Sequence, residues 1–269
     1  MLLLVVALPL AAALLLTLLA ARPATPTAGS RDVAIGIALV ATLSAGAALV
    51  ALAPGVFAGE LPAVAMAWLP PDIAGAGADL GLRLDGLALL FATLVTGIGA
   101  LVILYARYYL DSSEPAARFL AAFMAFMAAM LGLVLADNLL LLAICWELTS
   151  LASFLLIGHW RDQADARRGA RMALLVTGAG GLALLAGVLL LGQMAGSFKL
   201  DVVLAAGDRI RADPAYVPML LLILLAVFTK SAQFPWHFWL PEAMAAPTPV
   251  SPSLHSATLV KAGIFLMAR

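Results

Sequence analysis

Five stretches of this chain run for 18 to 27 residues without a charged side chain: Leu2–Ala21, Val33–Ala53, Gly86–Leu104, Phe119–Ala136 and Met172–Phe198. A helix crosses a hydrocarbon core about 30 Å thick with about 20 apolar residues, because each adds about 1.5 Å. Barrel strands alternate and do not give such runs, and in lipid a helix satisfies its own backbone groups. Three more stretches hold one charge near the middle: Asn138–Trp160 with Glu147, Ala215–Pro241 with Lys230, and Val250–Ala268 with Lys261. The pattern predicts an all-α polytopic membrane protein of about eight transmembrane helices. A composition 64% apolar and 11% charged excludes a water-soluble enzyme. Fifteen basic and fifteen acidic side chains cancel, which leaves no basic field for nucleic acid. A single cysteine, Cys145, excludes an internal disulfide and a cysteine-built metal site.

The first run lacks a basic n-region and has full spanning length, so it reads as an uncleaved helix rather than a signal peptide. With the N-terminus external, cytoplasmic loops receive Arg22, Arg31, Arg107, Arg118, Arg161, Arg167, Arg168 and Arg171. The outside then holds Arg83, Lys199, Arg209 and Arg211, and this excess of basic residues inside favours the N-out orientation. The Pro- and Gly-rich stretch Ala53–Asp85 ends with Leu80, Leu82 and Leu84 at period two, which predicts a short strand outside the membrane. In Ser197–Asp213, Leu200, Val203, Leu204 and Ile210 recur at roughly helical spacing, as in an interfacial helix.

An ionisable side chain at the bilayer centre costs about 2.5–3.5 kcal/mol on insertion scales, so it persists where pairing or function offsets that cost. Glu147, Lys230 and Lys261 lie near the midpoints of their runs and would form a row within the membrane plane. Such a row suits a lateral proton relay. The chain has twelve Arg and three Lys, yet both central basic residues are Lys. A desolvated Lys can release its proton, whereas Arg stays protonated. The alternative is a static Glu147–Lys pair that only fixes helix packing. Pro235, just after Lys230, lacks an N–H and crowds the preceding turn, which predicts a broken seventh helix. Such breaks expose polar backbone in transporters, although a kink used only for packing gives the same sequence signal.

His255 precedes Lys261 by six residues, about 9 Å along a continuous helix, and could link that amine to one aqueous side. His237, past the break, could act similarly or simply form a hydrogen bond there. His159 reads as interfacial. The three histidines lack metal-binding spacing, and no cofactor site is apparent. Gly178-Ala179-Gly180-Gly181-Leu182-Ala183 has no preceding strand, so it reads as a helix-packing surface rather than a nucleotide loop. Met124, Met127 and Met130, at helical spacing, read as core or lipid-facing filler.

The stretch Trp146-Glu147-Leu148-Thr149-Ser150, continuing through Gly158, resembles the fifth helix of the large A-type component of Mrp-type multisubunit Na⁺/H⁺ antiporters. Lys230 to Arg269, KSAQFPWHFWLPEAMAAPTPVSPSLHSATLVKAGIFLMAR, is similar to the seventh and eighth helices of that component, and Leu84-Asp85-Gly86-Leu87 to the start of its third. The related antiporter-like subunits of respiratory complex I share a fold of two inverted five-helix units, each with a broken helix.

The resemblance implies three N-terminal helices with an external loop and strand over residues 1–110, and the first five-helix unit over 111–269. It implies that Glu147 and Lys230 form the charged pair, with His255 and Lys261 carrying the proton onward; the residues around the break add His237 and Pro235 in support. It further implies a subunit of a cation (Na⁺)/proton antiporter in a prokaryotic plasma membrane, working with other subunits and without a cofactor or metal. That is a secondary transporter subunit, not an enzyme. The alternative is a proton-pumping subunit of a complex I-like NADH:quinone oxidoreductase. Lys261 after His-Ser-Ala-Thr favours the antiporter. Pro252 departs from the family pattern, and the chain ends before the second unit, as an N-terminal fragment or truncated product would.

Overall fold

Each uncharged run becomes a helix, and the way these helices end decides where polar groups lie. In the computed structural model, residues 1–21, 27–67, 79–111 and 114–269 are described, apart from the side chains of Ala67, His255, Ser256 and Ala257. Six helices are long and apolar enough to cross a membrane: α1 (Leu2–Ala20), α2 (Ala28–Phe57), α3 (Gly86–Tyr109), α4 (Ala116–Leu135), α5 (Leu139–Ile157) and α6 (Ala164–Ala195). Two short surface helices follow, α7 (Leu200–Ala205) and α8 (Gly207–Ala212), and then α9 (Tyr216–Lys230), α10 (Trp239–Glu242) and α11 (Lys261–Ala268).

Of the about eight expected helices, six are continuous among the described residues, and the seventh and eighth runs are broken. The seventh run is a 15-residue helix followed by short turns, and the eighth has only eight residues of α-helix. Past the end of α9, Pro235, Pro241, Pro247, Pro249 and Pro252 keep the segment before α11 in short turns, and a π-helical turn at Pro252–Ala257 precedes α11.

Helix α4 is the central helix, buried along most of its length. It packs on α1, α2, α3 and α5, and Phe119, Phe123, Met124, Phe126, Met127 and Met130 all lie in the core. The expected filler role of the three methionines is met by the core option. On the far side of α5, helix α6 packs against both α5 and α9.

One end of the bundle carries a small extended layer. Strands β1 (Ala63–Ala67) and β2 (Asp79–Arg83) pair antiparallel, with Val64 opposite Leu82. The expected strand is present; residues 68–78 of that loop, like Arg22, lie outside the described residues. Leu82 bridges to Ala136, and Asn138 to Lys199. The Asp137 N–H donates to the Gly81 carbonyl at 2.9 Å, and Leu200 N–H to the Asp137 carbonyl at 3.0 Å. This layer fixes the α4–α5 turn, and ion pairs Arg83–Asp137 (3.2 Å), Lys199–Asp79 (3.0 Å) and Arg269–Asp85 surround it. Asn138 Oδ1 then caps α5 by accepting from Leu140 N–H at 2.7 Å. Beside the layer, α7 and α8 bury Leu200, Val203 and Ile210, while Leu204 is exposed. The expected surface helix is two short ones.

Glycines set the closest approaches. A Cβ at Gly169 would strike the carbonyl of Glu242, whereas one at Gly99 would meet the terminal methyl of Met127. The first obstacle is fixed backbone and the second a flexible tip. Replacing Gly by Ala in a helix gains about 1 kcal/mol of propensity, while overpacking costs about 1–3 kcal/mol. Gly99→Ala should therefore be neutral or slightly stabilising in thermal unfolding in detergent, and Gly169→Ala should destabilise by up to about 2 kcal/mol net.

Candidate functional site

The side chain of Lys230 has no solvent exposure. Its ammonium has three N–H donors and meets three neutral oxygens, all from α5: Thr149 Oγ1 at 2.7 Å, Ser150 Oγ at 2.8 Å and the Trp146 carbonyl at 3.0 Å. The Thr149 and Ser150 hydroxyls donate back to that carbonyl, at 2.7 and 3.3 Å, so their lone pairs turn to the amine. The Trp146 ring lies 5.2 Å from Nζ, within cation–π range.

Lys230 occupies the last position of α9 rather than the middle of a helix, which corrects the expected placement. The helix stops by its own backbone chemistry. Ala232 takes a left-handed φ of 49°, Gln233 N–H donates to the Phe228 carbonyl at 2.9 Å, and Ala232 N–H to the Thr229 carbonyl at 3.4 Å. That pair of bonds is a Schellman closure with Ala where Gly is usual. Pro235 therefore follows the break instead of lying inside a kinked helix. Trp239 Nε1–H binds the Thr229 carbonyl at 2.8 Å, and Gln233 Nε2–H the Ser231 carbonyl at 3.2 Å. The negative end of the helix dipole favours a cation at this position.

Glu147 lies on α5 among the residues that hold Lys230, yet no carboxylate oxygen comes within the 4.0 Å of an ion pair. Its Oε1 is buried without a hydrogen-bond partner and rests against Gly181 of α6, where a Cβ would collide with it. A Cβ at Gly180 would collide with Thr229, next to Lys230. The glycine pair thus lets α6 back both charged groups, in agreement with the packing role read from the sequence.

Lys261 is the first residue of α11 and is exposed, again at a helix end and not at a midpoint. The Ser231 hydroxyl donates to the Val260 carbonyl at 2.7 Å, so the residue after Lys230 is bonded to the residue before Lys261. A Cβ at Gly263 would meet Ser231 and the Val227 carbonyl, so α11 packs directly on the last turn of α9. His255 belongs by its backbone to the π-helical turn, and its side chain lies outside the described residues. Thr258, at φ −134°, interrupts the helix between it and Lys261, so the expected uniform 9 Å rise does not hold. His237 sits exposed in a 3₁₀ turn, its ring stacked on Phe234 at 5.8 Å.

His159 is two residues past the end of α5 and outside the spanning segment. It is buried, with its ring edge-on to Phe119 at 5.3 Å. Burial pushes its pKa down to about 4, and the charges of Arg118 and Arg161 act in the same direction.

Sequence reasoning missed Thr149, Ser150 and the Trp146 carbonyl as the cradle of Lys230, and missed the Ser231–Val260 link. The available signal was two adjacent hydroxyl residues directly after an acid in an otherwise apolar span.

A family model described as NADH:quinone oxidoreductase/Mrp antiporter, TM, matches residues 136–269, and one described as the N-terminus of NADH-ubiquinone oxidoreductase (complex I) chain 5 matches 68–120. A probable A/B component of a K⁺/H⁺ antiporter of Rhizobium meliloti (strain 1021) is 59% identical over 202 residues, 75% of this chain and 20% of the relative. The A1 component of a Na⁺/H⁺ antiporter of Staphylococcus aureus (strain bovine RF122 / ET3-1) is 48% identical over 202 residues, 75% of this chain and 25% of the relative. The chain therefore spans about a fifth to a quarter of these relatives. Among solved structures, the Mrp complex from Dietzia sp. DQ12-45-1b aligns with all of this chain and 28% of its own at 37% identity, with TM-score 0.80. An archaeal membrane-bound sulfane sulfur reductase shares the fold at TM-score 0.81 and 22% identity, over all of this chain and 52% of its own.

Two outcomes follow for the helix break and for His159. A left-handed non-glycine residue costs about 1–2 kcal/mol. Ala232→Gly should leave stability unchanged or raise it by up to about 1 kcal/mol, whereas Ala226→Gly, inside α9, should lose about 1 kcal/mol; unfolding in detergent compares them. For His159, the unfolded ring takes up a proton near pH 6.5 and the folded ring only near pH 4. Its contribution is therefore complete above pH 6.5 and declines as pH falls towards 4, and His159→Gln should flatten that part of a melting-temperature profile.

Proposed function

We propose, on the premise that this chain belongs to the NADH:quinone oxidoreductase/Mrp antiporter family of membrane subunits, that it forms part of a monovalent cation/proton antiporter and moves protons laterally within the membrane. The observation that carries the reading is the fully buried Lys230 amine, held by neutral oxygens at a helix break, with Glu147 on the same supporting helix but out of contact. An ammonium bound this way has partners whose strength as acceptors depends on small movements of one helix. With Glu147 close, the charge on Lys230 is favoured; with Glu147 withdrawn to Gly181, only neutral acceptors hold it.

The released proton passes towards Lys261, whose helix end the Ser231–Val260 hydrogen bond holds against that of Lys230. Lys261 and His255 take it onward, with His237 and Pro235 shaping the segment between the breaks. The exposure of Lys261 suits a hand-over from this unit to a neighbouring one. Other subunits of a hetero-oligomeric assembly complete the path. The N-terminus lies outside a prokaryotic plasma membrane, and the arginine-rich end of the bundle faces the cytoplasm. The cation is Na⁺ or K⁺, since relatives named for each resemble this chain. Antiporter names at 59% and 48% identity favour this reading over a proton-pumping oxidoreductase subunit.

The test uses the complete assembly in inverted vesicles, with Na⁺- and K⁺-driven pH changes read by a fluorescent amine. Glu147→Ala and Lys230→Ala should each reduce exchange to background. Lys230→Arg keeps the charge but cannot give up the proton, so it should also fail while the assembly remains intact. Full exchange in Lys230→Arg would refute the relay and leave a structural cation.

A further inference from the structure

A second feature lies away from this path, at the end of the bundle opposite the extended layer. A cleft of about 590 Å³ opens between the ends of α1, α4, α5 and α6. That volume falls within the roughly 300–1,000 Å³ of small-molecule sites. Its deep wall is apolar: Ala121, Ala122 and Ala125 of α4, with Phe154 and Leu155 of α5. Its mouth is basic, lined by Arg118, Arg161, Arg167 and Arg171. Along α4, Ala125 lies seven residues beyond Arg118, about 10 Å deeper into the span. The cleft is therefore amphipathic along the membrane normal.

None of these four guanidinium groups has a carboxylate within 4.0 Å among the described residues, whereas Arg31, Arg83, Arg107, Arg168, Arg211 and Arg269 each do. Three of these side chains donate instead to backbone: Arg118 Nη2 to the His159 carbonyl at 3.1 Å, Arg167 Nη1 to the Arg161 carbonyl at 2.8 Å, and Arg171 Nε to the Arg167 carbonyl at 3.3 Å. Most of their N–H groups remain available. Arg118 and Arg161 also line an adjoining cleft with Glu114 and Asp162, and Asp162 acts on Arg118 from beyond 4.0 Å; Arg167 and Arg171 line the larger cleft alone. Four basic groups with no carboxylate in direct contact and two acids nearby leave a net positive mouth that favours an anion from outside, and arginine forks match phosphate geometry.

We infer that this cleft seats an anionic glycerophospholipid, with its phosphate on the arginine mouth and an acyl chain along the α4–α5 wall. A free phosphate would use the mouth and leave the apolar wall empty. A lipid uses both, and basic pockets between spanning helices are suited to anionic head groups.

Native mass spectrometry of the detergent-purified complete assembly, titrated with phosphatidylglycerol, phosphatidylcholine or inorganic phosphate, provides the test. Phosphatidylglycerol should bind in preference to phosphatidylcholine. Arg161→Gln with Arg171→Gln should weaken it roughly twenty-five-fold, at about fivefold per charge. Arg161→Lys with Arg171→Lys should keep most of the binding and report that the fold is intact. Ala122→Phe, which fills the wall and leaves the charge unchanged, should also release the lipid. Equal retention of the two lipids, full competition by inorganic phosphate, insensitivity to Ala122→Phe, or a partner subunit cross-linked at Ala122→Cys would each overturn the assignment.

Discussion

The arrangement rests on one buried cation and the way its desolvation is met. Lys230 has lost all contact with solvent, and an ammonium left unsatisfied there would cost several kcal/mol. Three oxygens of α5 replace the water, the open end of α9 adds a favourable dipole, and the Trp146 face adds a cation–π contact. Each contribution requires a local departure from ideal helix: an end at Lys230, a left-handed alanine, and hydroxyls turned onto their own backbone. Bringing α6 close behind them requires Gly180 and Gly181, since any side chain there would occupy the space of Thr229 or Glu147.

These details bear on the choice between a fixed ion pair and a working one. A pair that served packing alone would place acid and amine in contact, because a buried charge without its partner is strongly unfavourable. Here the amine is fully hydrogen-bonded without the acid, and the acid's Oε1 is buried with no partner. The two charges interact across a gap greater than 4.0 Å, which a modest shift of α5 against α9 would alter.

Most of the helical framework was legible because uncharged runs of spanning length admit one structure in lipid. The strand before α3 and the surface segment after α6 were equally legible, since Leu80 to Leu84 and Leu200 to Ile210 carry periods of two and roughly 3.6. The breaks were legible as regions and not as positions. Pro235 marked the disruption, but Ala232 ends the helix two residues after Lys230, and nothing in an alanine announces a left-handed conformation. Centring Lys230 and Lys261 on their apolar runs therefore misplaced both, because the runs continue through turns that contain no charge to mark them. The cradle was hidden for another reason. Two of its oxygens belong to hydroxyls that read as ordinary small residues in a span, and the third is backbone.

The positions of the two lysines at these breaks are not equivalent. Lys230 closes a helix, where free carbonyls favour positive charge; Lys261 opens one, where aligned N–H groups do not. The Ser231–Val260 bond holds the two helix ends together, so the dipoles of α9 and α11 act on the lysines at those ends with opposite sign. Had both residues been central to unbroken helices, neither dipole would have reached them, because the effect fades within a turn of the helix end. The helix breaks thus do more than expose backbone. They give two chemically identical side chains different environments at adjoining helix ends.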